Sequence, residues 1–94
     1  MDLRISYYIA KSQSEAYELA KAQITPEYVE KFKVKADINY NPSAGLIEAK
    51  GKGFTLSLKF DETKVVVNLD LSFMLKPFKS TILDTVERKL KKTV

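Results

Sequence analysis

The side chains best suited to chemistry lie in one alternating segment, where Asn68, Asp70 and Ser72 recur at every second position. A carboxylate beside an amide and a hydroxyl can act as a general base when further donors or carboxylates converge on it. The chain has no histidine and no cysteine, so the commonest general base and every thiolate site are excluded. We predict no catalytic residue, no cofactor site and no metal site, and we interpret the segment around Asp70 as the solvated face of a sheet.

The segment Gly51-Lys52-Gly53 has the spacing of a phosphate-binding glycine loop. Such a loop requires a helix after it, because the phosphate is bound at the helix N-terminus. Here residues 54–60 follow with the alternation of a strand. We therefore predict a hairpin turn or a glycine kink in a bent sheet.

Positive charge is concentrated at the end of the chain. The net charge is +4, and residues 1–75 carry ten basic and ten acidic side chains, so the whole excess lies in residues 76–94. A nucleic-acid interface normally has a larger basic excess and exposed aromatic platforms, and we do not expect a nucleic-acid partner. Two interpretations of the basic end stay open: a solvated helix terminus and an adhesive face for an anionic or hydrophobic surface.

The polar segment around Asp70 belongs to a longer alternating stretch. Its odd positions are apolar from residue 65 to residue 75, and its even positions form a mixed face with a polar centre. This alternation predicts one long strand that runs to Leu75 and ends at Pro77, which has no N–H for the ladder. The predicted buried side consists of Val65, Val67, Leu69, Leu71, Phe73 and Leu75.

A basic amphipathic helix is predicted directly after Pro77. Apolar residues recur there at intervals of four, which places them on one stripe of a helix. We expect this stripe, formed by Phe78, Ile82, Val86 and Leu90, to pack on the apolar face of the sheet.

The earlier part of the chain supplies the other elements. Residues 3–9 alternate as a first strand, Ser12 and Glu15 form a capping box for a helix, and Thr25 with Pro26 can start a second one. Further strands are predicted over residues 34–40, 47–52 and 54–60. The order β-αα-β-β-β-β-α predicts one α+β domain over residues 1–94. We expect a curved antiparallel five-stranded sheet of order 1-5-4-3-2 with the helices on one face, a small helix-grip arrangement like that of START domains.

Most aromatic residues fall on the predicted core faces. Core packing is expected for Tyr7, Phe32, Tyr40, Phe54, Phe60, Phe73 and Phe78. The alternative is a small apolar ligand cavity between the sheet and the last helix, lined by Phe54, Phe73, Phe78 and Ile82. A chain of 94 residues leaves little interior room, so core packing is the first hypothesis.

The composition also bears on the compartment. The chain opens without a charged and apolar leader, and it contains no apolar run near the ~20 residues of a membrane-spanning helix. Together with the absence of cysteine, these features favour a soluble bacterial protein of the cytoplasm.

The end of the chain reads LSFMLKPFK at residues 71–79, followed by Ile82, Glu87 and Leu90. This closing segment resembles that of a known family, the polyhydroxyalkanoic acid system proteins. These proteins are small and bacterial, and they share the layout of an opening strand, an alanine- and glutamate-rich helix and a glycine-containing strand pair. The resemblance implies a role in the polyhydroxyalkanoate storage-granule system, and it implies no catalytic mechanism.

On these grounds we expect a non-enzymatic protein that acts through contacts with the granule surface or with granule-associated proteins. The predicted contact surface combines the outer sheet face with the basic helix, through Tyr8, Val66, Asp70, Met74, Lys89, Lys91 and Lys92. The alternative function is binding of an apolar ligand in the cavity described above. A homodimer through the outer sheet face and a monomer are both compatible with the sequence.

Overall fold

The computed structural model describes residues 2–31 and 35–94. It contains five strands and three α-helices in the order β-αα-β-β-β-β-α, and a single 3-10 turn at Lys76–Phe78 precedes the last helix. The strands are β1 (Leu3–Ser6), β2 (Ala36–Asn41), β3 (Leu46–Gly51), β4 (Phe54–Phe60) and β5 (Lys64–Leu71). The helices are α1 (Gln13–Gln23), α2 (Pro26–Glu30) and α3 (Lys79–Thr93).

The five strands form one antiparallel sheet of order β1-β5-β4-β3-β2, which confirms the predicted α+β class and strand order. Three hairpins join β2 through β5, because short connections favour antiparallel neighbours. The first strand lies at the opposite edge from β2, to which α1 and α2 connect it, and it pairs with β5, with Leu3 opposite Val67. The last strand therefore lies between the first strand and the hairpin meander.

The hydrophobic core lies between one face of the sheet and the helices. Alternation in β4 and β5 buries Phe54, Leu56, Leu58 and Phe60 beside Val65, Val67 and Leu69. The helices close this face with two small residues on α1 and a stripe of three residues on α3, namely Ala16, Ala20, Ile82, Val86 and Leu90. The Tyr17 ring meets the Phe60 ring edge-on at 5.8 Å between centroids. The predicted stripe of the last helix is thus confirmed from Ile82 onwards.

Both predicted helix starts are present. The Ser12 hydroxyl accepts a hydrogen bond from the Glu15 N–H at 3.1 Å, and the Glu15 carboxylate accepts one from the Lys11 N–H at 2.7 Å. The reciprocal bond of the capping box therefore goes to the residue before the cap rather than to Ser12 itself. Thr25 caps α2 in the same manner, with Pro26 in the first turn.

The glycine segment between β3 and β4 is a hairpin turn, as predicted. Gly53 has a φ of +73°, a left-handed conformation that side chains disfavour. A Cβ at this position would also lie 2.6 Å from the Ser72 hydroxyl oxygen. Glycine is therefore required here by both the backbone conformation and the close approach of the chain that follows β5.

The predicted length of the last strand is wrong. β5 ends at Leu71, and the next residues turn back instead of continuing the alternation. The reason is the length of the neighbouring strands: Leu71 pairs with Phe54, the first residue of β4, and β1 begins opposite Val67. A strand continuing beyond residue 71 would have backbone groups without a partner on either side, and a turn satisfies them locally.

The core positions predicted for Phe73 and Phe78 are also wrong, since these side chains are 88% and 55% exposed. Phe78 belongs to the 3-10 turn, whose three residues per turn rotate it off the stripe that begins at Ile82. Phe54 and Phe60 are buried, and Tyr7 and Tyr40 are partly buried against the core. The core position predicted for Phe32 and the first residue of the strand predicted over residues 34–40 lie outside the described residues.

Candidate functional site

The most exposed apolar side chains in the second half of the described chain lie next to one another between β5 and α3. Phe73 and Met74 are 88% and 83% exposed, and Phe78 follows at 55%. We call residues 72–78, Ser72 to Phe78, the tip segment. Monomeric proteins rarely place large apolar side chains side by side in solvent without using them for contact with a partner or a surface.

The tip segment is an ordered turn. The Ser72 N–H donates to the Gly53 carbonyl at 2.8 Å, which ties the segment to the β3–β4 hairpin. The Ser72 carbonyl accepts hydrogen bonds from the N–H groups of Leu75 and Lys76 at 2.9 and 3.0 Å. The Phe78 N–H then donates to the Leu75 carbonyl at 3.0 Å. Because the backbone bonds are made locally, the Phe73 and Met74 side chains are presented to solvent from a fixed base.

An open depression adjoins this turn. It has a volume of about 700 Å³ and is lined by Gly53, the first half of the tip segment and two lysines, Lys35 and Lys52. A second, more polar depression of about 620 Å³ shares Lys35 and Lys52 and extends along the edge of the sheet to Lys50. The two lysines therefore stand between an apolar groove and a charged one.

An ion pair anchors the start of α3 beside the tip segment. The Asp2 carboxylate accepts a hydrogen bond from the Leu69 N–H at 2.7 Å and lies 3.1 Å from the Lys79 ammonium. The Leu69 hydrogen bond, together with Lys79, holds the pKa of Asp2 below its ordinary value of 3.8. The carboxylate thus joins the beginning of the chain to β5 and to the first turn of α3.

The structure does not bring the predicted contact residues together. Val66 and Asp70 lie on the outer sheet face, opposite Lys59 and Thr55, and Asp70 is exposed. Met74 is not on that face, because it belongs to the tip segment. Tyr8 is 93% exposed and lies where three consecutive N–H groups, of residues 8–10, donate to the Val94 carbonyl. This is the opposite end of α3 from the tip, about 22 Å away along a helix of 15 residues.

The three predicted lysines lie near that far end of α3 and differ in their surroundings. The Lys89 ammonium stands 5.4 Å from the centre of the Tyr28 ring, so a cation–π contact engages it. Lys91 pairs with Glu87 at 3.2 Å, one helical turn away. Lys92 is exposed. These positions agree with a solvated helix face that meets α2 through the contact of the Lys89 ammonium with the Tyr28 ring.

The four residues predicted to line an apolar cavity do not share one. Phe54 and Ile82 are buried in the core, at 1% and 5% exposure, whereas Phe73 and Phe78 lie on the surface. The hypothesis of a ligand cavity with this lining is therefore wrong. The misplacement follows from the early end of β5, which turns both rings out of the space between sheet and helix.

The polar residues considered for catalysis are spread over the sheet. Asn68 lies opposite Ser57 and Asp70 opposite Thr55, while Ser72 lies beyond the end of β5, in the tip segment. Among residues 2–31 and 35–94, no three acidic side chains come together as a metal site would require. The helices of that same part of the chain are all too short or too polar to span a bilayer.

Sequence reasoning missed the tip segment as a site. The sequence does contain a signal for it. Three consecutive large apolar residues, Phe73 to Leu75, precede Pro77, and such a segment at the end of a strand is compatible with an exposed turn. The alternation instead assigned Phe73 to the core. Only the length of the neighbouring strands decides between the two.

Comparisons with known proteins agree with the resemblance in the closing segment. Neither the curated proteins nor the solved structures contain a match to this chain. The model of one protein family does match, over residues 8–94, and thus covers the tip segment, strands β2 to β5 and all three helices. The chain belongs to the family described as putative polyhydroxyalkanoic acid system proteins.

Proposed function

We propose that this protein is a non-enzymatic component of the polyhydroxyalkanoate granule system and binds the granule surface through its tip segment. The observation that carries the proposal is the exposure of Phe73, Met74 and Phe78 on a turn whose backbone is hydrogen-bonded. Family membership supplies the context, since its description names the polyhydroxyalkanoic acid system. The cytoplasm, where such a surface would be met, is the proposed location.

An apolar polyester surface suits the chemistry of the tip segment. Large side chains that are exposed in the free protein lose contact with water when they lie against such a surface, and each gains hydrophobic free energy in proportion to the area covered. Lys52 and Lys76 are exposed near the aromatic and aliphatic groups. Their long stems can lie on an apolar layer while the ammonium groups stay in water.

The non-enzymatic part of the proposal is supported by composition. The chain has no histidine and no cysteine, and the candidate general base Asp70 is an exposed residue opposite Thr55. A surface contact needs no such group. The exposed apolar side chains at the tip, Phe73, Met74 and Phe78, are suited to such a contact.

The expected contribution of the tip can be estimated from area. Fully burying a Phe or Met side chain yields about 1.5–3 kcal/mol, and contact with a flat surface covers roughly half of each. Replacing both Phe73 and Met74 by serine should therefore remove about 1.5–3 kcal/mol, a loss of roughly 10- to 140-fold in affinity.

Co-sedimentation with isolated polyhydroxyalkanoate granules tests this proposal. The double variant F73S/M74S should lose binding, while the matched control Tyr8→Ser, an equally exposed aromatic at the other end of α3, should bind like the parent. Circular dichroism and thermal unfolding would show that both variants are folded. Equal binding of parent and double variant would contradict the proposal.

Salt separates this contact from electrostatic adhesion of the basic helix. Binding through Phe73 and Met74 should persist at 1 M salt, where the screening length is about 3 Å. Replacing Lys89, Lys91 and Lys92 by glutamine should change it little. Binding that disappears with salt or with these lysines would assign adhesion to the helix and not to the tip.

A further inference from the structure

We propose that the depression beside the tip segment binds a single short chain of a hydroxyalkanoic acid oligoester through its free carboxylate end. This inference rests on the proposed function, because it names the chemistry that the same site would select at the granule. The occupant is an amphiphile with one anionic end, ester carbonyls along its length and short alkyl side groups. Each of these three parts has a counterpart among the described lining residues.

The size and lining of the depression suit a small molecule. Its volume of about 700 Å³ falls within the range of roughly 300–1,000 Å³ for small-molecule sites. The apolar part of its wall consists of Phe73, Met74 and Leu75, and Gly53 lies at the base, where the missing Cβ lets the Ser72 side chain approach closely. Alkyl side groups of the oligoester would contact this apolar wall.

The charged part of the lining is of one sign. Lys35 and Lys52 are the charged residues in the described lining of this depression, whereas Glu30 and Asp37 line the neighbouring depression that shares both lysines. Within residues 2–31 and 35–94, neither ammonium group takes part in an ion pair. A carboxylate between the two ammonium groups would form charge-assisted hydrogen bonds with both.

The Ser72 hydroxyl of the protein would allow the depression to distinguish an oligoester from a plain fatty acid. Ser72 lines the depression at the foot of the hairpin turn, and its side chain lies beside Gly53. Its hydroxyl can donate a hydrogen bond to an ester carbonyl, a group that a fatty acid chain lacks. The depression therefore offers cations at one rim, a hydroxyl donor and an apolar wall.

NMR titration of the full chain tests the inference with three probes: the linear trimer of 3-hydroxybutyric acid, its methyl ester, and a saturated fatty acid of similar length. The trimer should bind with a Kd on the order of 1 mM and shift the amides of residues 52–53 and 72–75. The methyl ester has no carboxylate and cannot form the ion pairs with Lys35 and Lys52. Each exposed ion pair contributes little, so the loss of both should weaken binding about three- to tenfold. Ser72→Ala should weaken the trimer about threefold and leave the fatty acid unchanged.

Lysine variants supply the matched control. The double variant K35Q/K52Q should reduce the difference between trimer and methyl ester to less than twofold, whereas Lys92→Gln, an exposed lysine near the far end of α3, should leave it intact. Equal affinity for trimer and methyl ester would overturn the inference, and so would amide shifts that lie outside residues 52–53 and 72–75. So would a fatty acid that binds as tightly as the trimer and ignores Ser72→Ala.

The two proposals fail separately. Granule co-sedimentation that depends on Phe73 and Met74, in the absence of trimer binding, would leave the proposed function standing and reject the oligoester site. Trimer binding without any granule binding would reject adhesion to the granule. The same protein samples serve both measurements.

Discussion

Two phenylalanines give the sharpest stability test of where β5 ends. Phe54 is 1% exposed in the first position of β4, and Phe73 is 88% exposed two residues beyond β5. The Phe54→Ala change should cost about 3–5 kcal/mol, because it removes a ring from the packed core and leaves a cavity. The Phe73→Ala change should alter the free energy of unfolding by less than about 0.5 kcal/mol, as expected of an exposed side chain.

Urea unfolding followed by circular dichroism measures this difference. A domain of this length has a total stability of about 5–14 kcal/mol, so the loss at Phe54 is a large share of it. With an m-value near 1.5 kcal/mol per molar, the midpoint of the Phe54→Ala variant should fall by roughly 2–3 M urea. The Phe73→Ala midpoint should stay within about 0.3 M of the parent.

Comparable losses at the two positions would refute the end of β5 at Leu71. They would mean that the strand continues with Phe73 in the core, as the alternation in the sequence indicates. The tip segment would then not exist as an exposed turn. The pair of variants thus tests the feature on which the proposed function depends without any granule preparation.

Three further predictions concern local contacts. Asp2→Asn should cost about 1 kcal/mol at pH 7, after allowance for solvent screening of its pair with Lys79. Because the pKa of Asp2 is lowered on folding, this contribution is present above pH 3.8 and is lost as the pH falls through the folded-state pKa. Parent and variant should therefore unfold alike in acid. Ser12→Ala should cost about 1 kcal/mol in urea unfolding through loss of the α1 cap, and Ser12→Asp should restore most of it. Gly53→Ala should cost about 1–3 kcal/mol, because φ at this position is positive and a Cβ would collide with the tip segment; a variant as stable as the parent would contradict the turn geometry.

Much of the fold follows from patterns visible in the chain. Alternation places Phe54, Phe60 and Val65 on one face of the sheet, and interval-four spacing places Ile82 and Val86 on the stripe that covers it. Short connections after residue 36 lead to an antiparallel meander, and a two-helix crossover then leaves β1 to pair with β5. The similarity to helix-grip domains stays a prediction.

The end of β5 could not be predicted because periodicity describes one strand and pairing involves two. The alternation continues to Leu75, but β4 begins at Phe54 and offers no partner beyond Leu71. Strand lengths of neighbours are set by the hairpin turn at Gly53, whose conformation is a local property of another segment. An error of four residues in one boundary thus moved Phe73 from the surface into the core.

The candidate site was affected by the same boundary. Alternation predicts Met74 on the outer face of the sheet, whereas the side chain is exposed in the tip segment beyond the end of β5. Tyr8 and Val66 were grouped with it from strand alternation, although they lie in different regions of the surface. To know which residues share one surface, one needs the path of the turn after β5 and the direction of α3. A two-residue period in the sequence describes neither.

Single-site labelling measures most directly whether the tip segment contacts the granule. Because the chain has no cysteine, Met74→Cys and Tyr8→Cys each give one attachment point for an environment-sensitive fluorophore. On addition of isolated granules, the probe at position 74 should shift to the blue as it leaves water, and the probe at position 8 should not. No shift at position 74, or an equal shift at position 8, would contradict the assignment of granule binding to the tip.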